Sequence, residues 1–183
     1  MNFVALLRGI NVGGKNRVSM TDLKTCFEEA GFSNVTTYIN SGNVLFESNE
    51  ADLAKLVTKC EEAIEGQFGF HVVCAVISAI DLVRAIDNAP QWWNKEDAKH
   101  DALFVIAPNK AVDVMREVGD ANPEYEKVGF YEPVIFWSAP IKTFSRTRYS
   151  KIAGTKSYKS VTIRNANTAN KLALMCQEAT RHR

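Results

Sequence analysis

The chain reads as an α+β protein of two tandem ferredoxin-like (β-α-β-β-α-β) subdomains followed by a C-terminal helix. Three observations predict this. Short apolar runs bounded by Gly, Pro, Asn and Asp take turns with amphipathic helical stretches. The order strand, helix, paired strands, helix, strand is completed once by residue 78 and again after residue 100. Finally, Phe3 to Leu7, Ala102 to Ala107 and Val134 to Trp137 do not alternate apolar with polar residues, so both faces of their sheets must be covered. Helices cover one face in each unit. The other face is expected against the sister unit or a second copy of the chain. The halves share no sequence repeat, so the duplication is one of structure.

Phe3 to Leu7 is a buried strand because Gly9, Gly13 and Gly14 end the apolar run at once. Ser-Met-Thr-Asp from Ser19 is a capping pattern, and a helix is expected from there to Ala30. Val35 to Ile39 and Val44 to Phe46 form a hairpin about the turn Asn40-Ser41-Gly42-Asn43. A helix from Glu50 to Glu65 places Leu53, Leu56, Val57, Cys60 and Ile64 on one face, and His71 to Ile77 closes the first unit, residues 1–78. Residues 79–100 hold a short helix opened by Ser78 and a linker, Ala89 to Lys99, stiffened by Pro90, Trp92 and Trp93. The second unit, residues 101–183, has a strand at Ala102 to Ala107, a helix at Asn109 to Gly119, and paired strands at Glu124 to Tyr131 and Val134 to Ser138. A polar helix from Ser145 to Ala153, a strand from Tyr158 to Ile163, a helix from Asn167 to Glu178 and the tail His182-Arg183 complete it.

The net charge of +1 conceals an asymmetry. Residues 140–183 carry ten Lys or Arg and one acid, whereas residues 1–139 carry twelve bases and twenty acids. That points to an internal electrostatic interface or to a surface for an acidic partner. Cys26, Cys60, Cys74 and Cys176 form no C-x-x-C pair and sit in apolar patterns, as reduced core thiols do. Met1 leads into a strand without a basic leader, and no apolar run approaches the roughly 18 residues of a membrane span. A cytoplasmic protein is expected, with no membrane partner, no metal and no cofactor.

Gly9 to Asn16 departs at one position from the P-loop pattern, having Asn16 where a magnesium-holding Ser or Thr would stand. What remains is a glycine-rich loop flanked by Arg8, Lys15 and Arg17, suited to an anion. Antiparallel pairing of strands one and three brings Arg8 and Asn11 to the turn of Asn40, Ser41, Gly42 and Asn43. The same reasoning gathers Lys142, Arg146 and Arg148 with Arg164, Asn165 and Asn167, the last three opening a helix. Two readings compete there, an anion site or Asn caps with arginines paired to acids. Phe144, Tyr149 and Tyr158 lie among the bases as stacking platforms for nucleic acid. An enzyme acting on a small phosphorylated or acidic metabolite, with Arg8 and Lys15 orienting it, is the alternative; a structural module whose basic segment clamps the acidic half is another.

Leu-Arg-Gly-Ile-Asn-Val-Gly-Gly at Leu7 to Gly14, the segment Tyr38 to Phe46, and Thr162 to Leu172 resemble, in order, three motifs of the bacterial domain of unknown function 1697 family. The resemblance implies two tandem ferredoxin-like subdomains and assigns no activity. Its matching polar positions are Arg8, Asn11, Gly13, Gly14, Ser41, Gly42, Asn43, Arg164, Asn165, Asn167, Thr168 and Lys171. Ala166 departs from it, standing where similar proteins often carry a bulky aromatic. The expected function is binding of a phosphate-bearing small molecule or nucleic acid.

Overall fold

The structure, a computed structural model, describes residues 1–95 and 97–181; Glu96, His182 and Arg183, the expected tail, lie outside it. β1 (Asn2–Leu7) is buried from Phe3 onward, as its apolar run requires. α1 (Met20–Glu29) opens on Ser19, whose hydroxyl accepts from the Asp22 N–H at 3.0 Å. β2 (Ser33–Tyr38) and β3 (Asn43–Glu47) form the expected hairpin. α2 (Leu53–Phe68) begins three residues after Glu50, because the Glu50 carboxylate accepts from the Ala51 and Asp52 N–H groups and holds a turn there. Asp52 caps the helix instead, and Leu56, Val57, Cys60 and Ile64 form its buried stripe. β4 (Cys74–Ser78) completes an antiparallel sheet of order β2-β3-β1-β4.

α3 (Ala79–Asp87) follows directly, capped by Ser78. The stretch expected as a linker is packed: the Trp93 indole is buried and donates to the Asp101 carbonyl at 3.1 Å, and strand β5 (Lys99–Val105) already starts at Lys99. α4 (Ala111–Val118), β6 (Lys127–Tyr131), β7 (Val134–Ala139) and β8 (Val161–Asn165) give a second antiparallel sheet of order β6-β7-β5-β8, and α5 (Ala166–Arg181) ends the chain. The expected helix from Ser145 to Ala153 is absent. Three short 3-10 helices, Phe144–Arg146, Tyr149–Gly154 and Lys156–Ser160, replace it, and the strand expected from Tyr158 begins only at Val161. The segment has no apolar stripe of helical period, so polar side chains close its turns: Thr147 Oγ1 donates to the Phe144 carbonyl and Thr155 Oγ1 to the Ile152 carbonyl.

The non-alternating strands are explained by two cores. Ala102, Phe104, Val134 and Phe136, on one face of the second sheet, join the core that also contains the first sheet, α3 and α5. Leu103, Val105, Ile135 and Trp137, on the opposite face, pack with α4, Tyr149 and Ile152. The protein is thus mixed α+β, with one face of the second half's sheet sharing the core of the first half. No helix among the described residues is long and apolar enough to cross a membrane.

Candidate functional site

After β1 the chain must turn back toward α1 within a few residues, and Gly13 and Gly14 make this possible. Both have positive φ, 59° and 75°, as two central residues of a type I′ turn do, and Lys15 N–H closes the turn on the Val12 carbonyl at 3.2 Å. Asn11 holds the loop shut. Its side chain accepts from the Val18 N–H at 2.9 Å, donates to the Val18 carbonyl at 2.8 Å, and donates also to the Asn40 carbonyl at 2.9 Å. The expected meeting of the glycine-rich loop with the Asn40 turn therefore occurs, and Asn11 makes it. Between them lies an open polar depression of about 540 Å³ bordered by Asn11, Gly14, Arg17, Ser19, Met20 and Asn40. Lys15 and Arg17 are exposed beside it, and neither takes part in an ion pair among the described residues.

Arg8 faces away from that depression. Its guanidinium lies 4.2 Å from the centre of the Tyr158 ring and donates to the Tyr158 carbonyl and, at 3.0 Å, to the Val161 carbonyl. Arg164 does the reverse from the other half. It is buried, and its Nε donates to Asn43 Oδ1 at 2.6 Å. Its Nη2 reaches the carbonyls of Leu7 at 2.7 Å, Ser41 at 3.1 Å and Gly42 at 3.2 Å. Arg164 is on the face of β8 that looks at the first sheet, register-paired with Ala102. Each half thus sends one arginine into the backbone of the other. Both are matched by carbonyl oxygens, not carboxylates, and burial lowers the Arg164 pKa to about 10.

Asn43 and Gly42 are the receiving end of this contact. The Asn43 amide donates to the Tyr38 carbonyl at 2.9 Å and the Ser41 hydroxyl at 3.0 Å, which leaves Oδ1 for Arg164. Gly42 has φ 78°, and a Cβ there would lie 2.7 Å from Ile10 Cδ1 and 2.8 Å from Leu7 Cβ. Only glycine lets β3 approach so closely.

The basic residues expected together after β7 are divided. β6 and β8 are opposite edges of the second sheet. Arg146 lies by the β6 side, 5.6 Å from the Tyr125 ring, and the Arg148 guanidinium donates to the Val118 carbonyl at 3.3 Å, whereas Arg164 leaves from β8 toward the first sheet. Asn165 caps α5 by accepting from the Thr168 N–H at 2.9 Å; Thr168 is buried, and Asn167 and Lys171 are exposed on α5. Of the three aromatic residues expected as stacking platforms, Tyr149 is buried in the core and Tyr158 is covered by Arg8; Phe144 is exposed, with Lys99 Nζ 4.9 Å from its ring centre. Among the described residues no group of three His, Cys, Asp or Glu is placed to hold a metal ion.

One residue escaped the sequence reading. Glu126 is buried, and its carboxylate accepts from the N–H groups of Asn122, Arg148 and Tyr149 and from the Trp137 indole at 2.8 to 3.1 Å. An acid inside a run read as a strand gives no signal of this. Its oxygens organise the basic segment by holding two successive backbone amides.

Such a fold, two sheets tied by reciprocal arginines with an open polar loop site on the first, defines a class of small α+β protein. The chain belongs to the family of proteins of unknown function DUF1697, whose model matches residues 1–136. It is also similar to the solved structure of a conserved bacterial protein from Streptococcus pneumoniae, 33% identical, with a TM-score of 0.84 over 96% of this chain and 98% of that one. No curated protein matches it.

Proposed function

We propose that the two halves are tandem ferredoxin-like subdomains, and that the protein binds a phosphate-bearing ligand in the depression between the glycine-rich loop and the Asn40 turn. The strand orders β2-β3-β1-β4 and β6-β7-β5-β8, every pair antiparallel, support the first part. The observation that carries the second is a pair of exposed cations, Lys15 and Arg17, without carboxylate partners among the described residues, at the rim of a polar depression that opens on the first turn of α1. Arg8 adds to it. By donating to the Tyr158 and Val161 carbonyls it ties the basic segment, with the exposed Lys156 and Lys159, to the residue from which the loop starts. The four buried thiols, none in a disulfide, accord with a reducing cytoplasmic compartment.

Titration calorimetry at low salt with tripolyphosphate, mononucleotides and a twelve-base single-stranded DNA tests this. Binding is expected for at least one of them, weakened about tenfold or more by Lys15→Ala with Arg17→Ala, since each charge-assisted contact contributes about 1.5–3 kcal/mol. A steep salt dependence confined to the oligonucleotide would select nucleic acid over a small molecule. No heat with any of the three, or binding indifferent to the double substitution, overturns the proposal.

A further inference from the structure

In the second sheet, on elements that contribute nothing to the loop site, His100 of β5 stands directly across from Ser138 of β7. Both are buried, and Ser138 Oγ lies 2.5 Å from His100 Nδ1. The direction of that bond follows from a third group. The Asn94 N–H donates to the same Nδ1 at 3.1 Å, so Nδ1 carries a lone pair and no proton. The hydroxyl must then be the donor. This is the arrangement of a serine before attack: its proton is already directed at a neutral imidazole nitrogen, and its oxygen lone pairs are left for an electrophile. Ser138 also borders an open recess of about 100 Å³, whose other walls include Pro123, Glu124, Tyr125, Glu126 and Lys127. With a water occupying about 30 Å³, such a recess admits an acyl group of only a few heavy atoms.

We propose that Ser138 is a nucleophile activated by His100 as general base, and that the recess takes the acyl group of a short-chain carboxylic ester. Ser138 Oγ adds to the ester carbonyl carbon while its proton passes to His100 Nδ1. The bond from that carbon to the alkoxy oxygen then breaks, and the alcohol leaves with the proton from the imidazolium. Water, deprotonated by His100, adds to the acyl carbon of the ester formed on Ser138. The Oγ–carbon bond breaks, Ser138 recovers its proton, and the free acid departs. The net reaction is ester plus water to acid plus alcohol, and the protein is unchanged.

The full chain is treated with a fluorophosphonate probe, in which Oγ–phosphorus bond formation expels fluoride, and the labelled peptide is located by mass spectrometry. Label is expected on Ser138 in preference to every other serine, and Ser138→Ala should abolish it. His100→Gln, with folding checked by a thermal melt, should slow labelling at least about a hundredfold, the usual contribution of a general base. Should that variant not fold, a second measurement decides: p-nitrophenyl acetate should give the wild type a burst of one nitrophenolate per chain, absent from Ser138→Ala. A hydrogen bond of purely structural role would leave Ser138 no more reactive than a surface serine. Absence of label on Ser138, labelling unaffected in folded His100→Gln, or absence of the burst overturns the proposal.

Discussion

The two halves share a strand order and differ in how they cross from the third strand to the fourth. The first half uses α2, sixteen residues long, held by the buried stripe Leu56, Val57, Cys60 and Ile64. The second uses the three 3-10 turns between residues 144 and 160, which bury Tyr149, Ile152 and Ser157. A stripe of four buried side chains contributes roughly 2 kcal/mol apiece from area removed from water, enough to supply most of the anchoring of a helix. Two large apolar residues cannot do as much for a segment of similar length and far greater polarity. The difference is supplied by Glu126, whose carboxylate fixes the backbone at Arg148 and Tyr149 from inside. A stretch rich in Lys, Arg, Ser and Thr can therefore be ordered by one buried acceptor where its counterpart is ordered by a greasy face.

The largest effect should come from removing that acceptor. Glu126→Ala leaves three backbone N–H groups and an indole N–H without their partner, with the Trp137 end fully buried, and is expected to cost about 4 kcal/mol, or about 10 °C in Tm. Glu132 is the control within the same half. Among the described residues it accepts only from the Ala111 N–H at the start of α4, so Glu132→Ala should cost about 1 kcal/mol. Denaturant melts of both variants, beside Leu56→Ala in the first half at about 3 kcal/mol, place the two modes of anchoring on one scale. Equal losses for Glu126→Ala and Glu132→Ala would break the comparison.

Next in size are the arginines that join the halves. Arg164→Met removes donors from the fully buried Asn43 Oδ1 and from the Leu7, Ser41 and Gly42 carbonyls, an expected loss of about 3 kcal/mol. Arg8 is only half-buried, so Arg8→Met, which removes donors from the Tyr158 and Val161 carbonyls, is expected to cost about 1 kcal/mol. The two bridge one interface in opposite directions, so the double variant should depart from additivity by at least about 0.5 kcal/mol. Strict additivity would mean that they act as separate tethers.

The fold was legible where periodicity is a local matter. Ser19 and Ser78 announced two helices by their caps, and the unbroken apolar runs of β1, β5 and β7 required sheets covered on both faces. The glycine loop and the Asn40 turn were brought together correctly because strand pairing dictates it. What stayed hidden depends on which side of a strand a polar residue emerges. Arg8 and Arg164 read as members of an anion site, and both are consumed across the interface between the halves. Their neighbours supply carbonyl oxygens, which leave no trace in side-chain composition. The helix expected from Ser145 failed for the same kind of reason, since its anchor, Glu126, lies two strands away in sequence.

The smallest effect concerns Tyr149, the residue that places the basic segment against the second core. Burial first, and then the negative charge of Glu126 beside it, push its pKa up from 10.0 to about 12. The folded state therefore holds this proton more tightly than the unfolded chain does. The resulting stability is fully present below pH 10 and is lost as the pH rises through about 12. Absorbance at 295 nm followed through an alkaline titration should show one late step among the five tyrosines, absent from Tyr149→Phe. Glu126→Gln should move the step to lower pH, because it removes the carboxylate charge and leaves the burial. The step should stay above pH 10, since burial, the larger cause, remains. A late step that survives in Tyr149→Phe would assign it to another tyrosine. A step unmoved in Glu126→Gln would mean that the carboxylate orders the segment through its hydrogen bonds alone, with its charge fully compensated by the four donors around it.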